Sequence, residues 1–140
     1  LYVEASRGCP FKCEFCLSAL DRTAWPFPLE AFLADMAELH RRGARHFKFV
    51  DRTFNLRKDV ATAILDFFLQ RIEADPATAP YAHFELVPDH LPEVLKERIA
   101  RFPPGYLQFE VGIQTFDPAT QARISRRQDN AKAEANLRWL

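Results

Sequence analysis

Gly8-Cys9-Pro10-Phe11-Lys12-Cys13-Glu14-Phe15-Cys16 is the stretch on which the reading of this chain turns. All three cysteines of the protein fall inside it, spaced C-x3-C-x2-C. The number is odd and the spacing close, which suits metal better than a disulfide framework. Three thiolates can hold three irons of a four-iron cluster and leave the fourth iron open to another ligand.

The thiols alone leave other readings. A structural zinc site needs a fourth ligand. The histidines, His40, His46, His83 and His90, all lie well downstream, and no second C-x2-C pair exists. The spacing favours an iron–sulfur cluster. Zinc through a distant histidine, and plain free thiols, stay open.

Outward from the loop, the chain alternates strand and helix. Residues 1–6 read as a short strand, and the segment 7–20 as a loop kept irregular by Gly8 and Pro10. Pro26 and Pro28 precede a helical pattern over about 29–42, with Leu29, Phe32, Leu33, Met36 and Leu39 on one face and Gly43 as its stop. His46–Val50 reads as a second strand, ending in the polar loop 51–55. A second helix over about 58–73 turns Val60, Ile64, Leu65, Phe68 and Ile72 inward. Tyr81–Val87 reads as the third strand. Asp89 or His90 is expected to cap a short helix that has Pro92 in its first turn. Tyr106–Gln114 reads as the fourth strand. Asp117-Pro118 opens a helix to about 125, and a last helix starts near 130. Such alternation predicts an α/β fold with a parallel sheet.

Strand parity refines that expectation. Leu107, Phe109, Val111 and Ile113 share one face of the fourth strand, and Gln108, Glu110, Gly112 and Gln114 the other. Phe84 and Leu86 oppose His83 and Glu85 in the third strand; Phe47 and Phe49 oppose His46 and Lys48 in the second. In the first, Leu1, Val3 and Ala5 oppose Tyr2, Glu4 and Ser6. A doubly wound sheet is apolar on both faces, and a filled barrel is lined with branched aliphatics. A polar concave face instead predicts a partial barrel whose lumen holds a polar ligand.

Composition sets the outer bounds. Lys plus Arg and Asp plus Glu both number 19 in 140 residues, so no cationic surplus calls for nucleic acid. No apolar run reaches the 18 or more residues of a membrane span, and no signal peptide opens the chain. Free, closely spaced thiols point to a reducing, cytoplasmic setting. With no initial Met, the chain reads as a piece of a longer protein, residues 1–140 forming part of one domain.

The motif also resembles the signature of the radical S-adenosylmethionine superfamily: Cys9-x3-Cys13-x2-Cys16, aromatic Phe15 before the last cysteine, set directly after the first strand of a β/α series. A second segment, Glu110-Val111-Gly112-Ile113-Gln114-Thr115-Phe116, is similar to the fourth-strand E-x-G-x-Q-S-F pattern of one branch. That branch includes oxygen-independent coproporphyrinogen dehydrogenases, methylthiotransferases and cobalamin-binding relatives. The resemblance implies a partial parallel (β/α) barrel, truncated to about four β/α units. It implies a [4Fe-4S] cluster on Cys9, Cys13 and Cys16, with S-adenosylmethionine on the open iron, cleaved reductively to a 5′-deoxyadenosyl radical. It gives Gln114 the ribose hydroxyls, Arg126 the methionyl carboxylate, Glu85 the methionyl amine and Phe15 a place near the adenine. A reductant such as flavodoxin or ferredoxin is implied as partner.

One segment departs from the family pattern. A Gly-Gly-rich turn is usual after the second strand; here stands Phe49-Val50-Asp51-Arg52-Thr53-Phe54-Asn55, closer to the Asp-x-x-Phe segment of the cobalamin-dependent branch. Asp51 and Thr53 are therefore further cofactor-site candidates, and cobalamin, carried outside these residues, is a further expected cofactor. The competing expectation from the residues is a non-catalytic iron–sulfur or zinc-binding structural module. Glu85 and Glu110 could equally be carboxylates paired with Lys48. Substrate and reaction type are not written in this stretch of chain.

Overall fold

The computed structural model describes residues 1–20 and 24–140. Four parallel strands form its sheet: β1 (Tyr2–Val3), β4 (His46–Phe49), β5 (Tyr81–Leu86) and β6 (Leu107–Val111), side by side in that order. The register pairs Tyr2 with Lys48, Lys48 with His83, His83 with Gln108, and Glu85 with Glu110. Helices α1 (Leu29–Arg41), α2 (Lys58–Ala74) and α3 (Glu93–Ile99) connect the strands. The fold is the α/β arrangement of a partial parallel barrel.

The apolar faces meet as the parity requires. Phe47, Phe49, Phe84 and Leu86 are buried against Met36 of α1, against Ile64, Leu65 and Phe68 of α2, and against Leu95 of α3. Phe84 stacks on Phe54, with ring centroids 3.9 Å apart and planes at 18°. The opposite face is polar: His46, Lys48, Gln108 and Glu110 are exposed there. On it, Glu110 Oε2 lies 3.8 Å from Lys48 Nζ and 3.6 Å from His83 Nε2. Glu110 thus keeps the Lys48 pairing that its strand position allowed, whereas Glu85 pairs elsewhere.

Several expectations shift. The first strand is two residues long. Ser6–Arg7 is instead a separate strand, β2, antiparallel to β3 (Trp25–Pro26), with Ser6 opposite Pro26. Proline fits there because this short ribbon asks little of its backbone hydrogen bonds. Leu17–Leu20 forms a 3-10 turn rather than loop. The fourth strand ends at Val111, where its partner β5 ends at Leu86, and Gln114 beyond it takes a left-handed φ of 67°. The residue at the start of α3 is Pro92, with no side-chain cap; Asp89 instead accepts the Asp129 backbone N–H at 2.7 Å. α4 (Pro118–Arg123) does open on Asp117, whose Oδ2 accepts the Thr120 N–H at 2.7 Å. α5 (Asn130–Trp139) closes the chain, its Asn136 Nδ2 donating to Pro88 O at 3.0 Å. Among the described residues, no helix is long and apolar enough to cross a membrane.

Candidate cofactor site

The cysteine loop is fastened at its entry and at its middle. At the entry, Asp51, just beyond β4, is 2% exposed. Its Oδ2 accepts the Ala5 N–H at 3.0 Å, and its Oδ1 accepts the Ser6 hydroxyl at 2.6 Å. Burial pushes the Asp51 carboxyl up from its ordinary value, against the Ser6 and Ala5 hydrogen bonds that lower it. Gly8 then turns the chain at φ 91°, a conformation that glycine takes without a Cβ clash. At the middle, the Glu14 N–H donates to Ile124 O at 3.1 Å, and the Ser125 hydroxyl donates to Glu14 Oε1 at 2.9 Å. Ser125 itself sits at φ 54°. The first and fourth β/α units are thereby tied directly together.

Within the loop, Cys16 N–H donates to Cys13 O at 3.0 Å and Ala19 N–H to Cys16 O at 3.0 Å, winding the chain into the 3-10 turn. All three cysteines are free thiols; Cys9 and Cys13 are buried, Cys16 half-buried. Burial pushes the Cys9 thiol up, against a hydrogen bond from the Phe11 backbone that lowers it.

A cavity of about 360 Å³ opens between this loop and the carboxyl ends of β4, β5 and β6. Its walls include Cys9, Cys13 and Cys16 on one side, and Arg52, Thr53, Glu85, Asp89, Gly112, Gln114, Arg126 and Arg127 around the rest. Phe15, 54% exposed, lies at the lining as well. Eight of the nine residues named from the sequence thus share one cavity. Asp51 is the one not on its wall; it stands behind, holding the strand that leads into the loop.

Local geometry presents each group. Gly112 leaves room for the Gln114 amide: a Cβ at Gly112 would lie 3.3 Å from Gln114 Nε2. Arg126 donates to Gly112 O, and to Gln128 Oε1 from Nε at 3.3 Å and from Nη2 at 3.1 Å. Glu85 Oε2 lies 3.3 Å from Arg52 Nη1. Asn55 was not anticipated. Fully buried, it accepts the Val87 N–H at 2.8 Å and donates to Val87 O at 2.8 Å and to His90 O, fixing the cavity wall after β5. The only cue in the sequence is its place beside Phe54, in a loop with no helical or strand period.

The donor set can be tested against the metal readings. Among the described residues, no three His, Cys, Asp or Glu side chains converge as on a single ion. Thiolates on one tetrahedral zinc lie about 3.8 Å apart, given Zn–S near 2.3 Å, whereas thiolates on separate irons of a cluster need not converge. The three free thiols line one cavity, and a cluster would use them one to each of three irons.

A parallel β/α sheet carrying a three-cysteine loop over its carboxyl ends defines a class, and the sequence falls within it. The chain belongs to the Radical SAM superfamily, whose profile matches residues 3–140. Its fold is similar to that of the radical S-adenosylmethionine methyltransferase TsrM from Kitasatospora setae, solved with tryptophan substrate and the analogue aza-SAM bound. The TM-score is 0.78 at 18% identity, covering 99% of this chain and 27% of that one. A second TsrM structure from the same organism, with cobalamin and a [4Fe-4S] cluster bound, gives the same score and identity over 99% of this chain and 26% of that one. The chain therefore spans about a quarter of the length of these relatives, and at such identity the likeness is one of fold. No curated protein sequence matches the chain.

Proposed function

We propose that this chain is the cofactor-binding part of a radical S-adenosylmethionine enzyme, with Cys9, Cys13 and Cys16 as ligands of a [4Fe-4S] cluster. The observation that carries the reading is the meeting of those three thiols with Glu85, Gln114 and Arg126 around one cavity. When bound, the cluster and S-adenosylmethionine supply an electron and a cleavable sulfonium, whose reductive cleavage yields a 5′-deoxyadenosyl radical and methionine.

The chain's own residues bind and orient. The Glu85 carboxylate accepts hydrogen bonds from the cofactor's ammonium, the Arg126 guanidinium pairs with its carboxylate, and the Gln114 amide bonds its ribose diol. Phe15 covers the adenine, and Thr53 adds a hydroxyl to the same wall. Asp51 acts through the backbone at Ala5 and Ser6 rather than by touching the cofactor.

On this reading residues 1–140 supply four β/α units of the core, over about a quarter of the length of the TsrM structures. The Asp51-x-x-Phe54 segment and the likeness to a cobalamin-carrying structure support cobalamin as a second cofactor, bound by residues outside this sequence. Flavodoxin or ferredoxin would deliver the electron.

Anaerobic reconstitution with iron and sulfide tests the assignment. About four irons and four acid-labile sulfides per chain are expected, with a marked loss when any one of Cys9, Cys13 or Cys16 is changed to Ala. Tight zinc uptake with no iron would support the structural-module reading instead.

A further inference from the structure

Arg52 lines the same cavity as Glu85 and places Nη1 3.3 Å from its Oε2. The pair joins the loop after β4 to the face of β5. The Arg52 side chain is 56% exposed and that of Glu85 30% exposed, so this cation is held loosely on the carboxylate and can leave into water. The Glu85 backbone is fixed in the ladder opposite Glu110, and its carbonyl accepts the Phe54 N–H at 3.3 Å.

We infer that Arg52 is a stand-in cation: it occupies the Glu85 carboxylate until the cofactor's ammonium displaces it. The inference rests on the cofactor reading above and goes beyond it in giving Arg52 a role of the opposite sign. Arg52 and the ammonium would compete for the charge of one carboxylate, whose Oε2 Arg52 already approaches. Without a cofactor, Arg52 keeps Glu85 from standing as a lone charge. With the ammonium seated, Arg52 is released on the cavity wall, where it is free to meet an anionic group of the substrate. Cofactor binding would then precede the binding of such a substrate.

A residue that merely supports the wall weakens binding when it is removed. A displaced competitor strengthens it. The test is S-adenosylmethionine affinity of the cluster-loaded chain, read by spectral titration, for the parent, Arg52→Gln, Arg52→Lys and Glu85→Gln. Arg52→Gln should bind about two- to fivefold more tightly, the range expected for an exposed ion pair. Arg52→Lys, which keeps a cation, should stay near the parent, and Glu85→Gln should bind more weakly. The desamino analogue of S-adenosylmethionine provides the second measurement, since without an ammonium its affinity should not respond to Arg52→Gln. Unchanged or weaker S-adenosylmethionine binding by Arg52→Gln, with the parent binding normally, overturns the displacement alone. No binding by the iron-loaded parent overturns the cofactor reading itself and this inference with it.

Discussion

Arg126 and Asp51 are both polar, both near the cysteine loop, and do different work. Arg126 reaches the cavity while donating to Gly112 O and Gln128, so its guanidinium is preset before any ligand arrives. A charged hydrogen-bonding partner contributes about 1.5–3 kcal/mol. Arg126→Ala should therefore lower S-adenosylmethionine affinity about ten- to a hundredfold while iron content stays at the parent level; equal affinity would remove the carboxylate role. Asp51 is buried, and its carboxyl is raised above 3.8 chiefly by desolvation. The folded chain then holds this proton more tightly than the unfolded chain does. The cost of the buried charge is full above the raised value and gone below 3.8, so stability falls as pH rises through that window. Asp51→Asn cannot titrate. In the cofactor-free chain, the urea midpoint of the parent should gain on that of Asp51→Asn as pH falls from about 7 toward 4. A gap that does not change with pH would contradict this.

Among the elements, those that followed a period were legible and those held by single contacts were not. The 3.6-residue pattern of α2 placed Val60, Ile64, Leu65, Phe68 and Ile72 inward, and all five are buried. Alternation in the strands put Phe47, Phe49, Phe84 and Leu86 on the core face, also correctly. The β2–β3 ribbon has two residues per strand and so carries no period at all. Nor does sequence announce that Gln114 and Ser125 turn left-handed, since neither is Gly or Asn, the usual residues there. The clasp between Glu14 and Ser125 depends on those turns. Within the candidate site, the cysteine loop was legible from its spacing and Glu85 from the polar parity of β5, whereas Gln114 and Arg126 lie beyond β6 and entered only through the family resemblance. That Glu85 is met by Arg52 rather than Lys48 depended on a loop conformation. The core face also carries a stability prediction. Phe84 is fully buried and packs on Phe49, Phe54 and Phe109. Phe84→Ala should cost about 3–5 kcal/mol, read as a lower urea midpoint or the loss of a folded baseline. A shift under about 1 kcal/mol would mean that the aromatic layer does not hold the sheet.

For the whole molecule, the decisive feature is closure across the chain. The cysteine loop follows the first strand, yet Glu14 is fastened to Ile124 and Ser125, more than a hundred residues later. The next residue, Arg126, faces the same cavity as the thiols. One end of the sheet thus gathers the three thiols from the first β/α unit, Glu85 from β5, and Gln114 and Arg126 from the chain beyond β6. Such a gathering makes a sharp demand: a ligand held by the acid, the amide and the arginine must perturb a cluster held by the cysteines. The most direct measurement is the electron paramagnetic resonance spectrum of the reconstituted, chemically reduced chain with and without S-adenosylmethionine. The cluster signal should change shape and position when S-adenosylmethionine half-saturates the parent, and the same concentration should change it far less in Arg126→Ala. A fully loaded parent whose signal is unaltered by saturating S-adenosylmethionine would contradict the shared site.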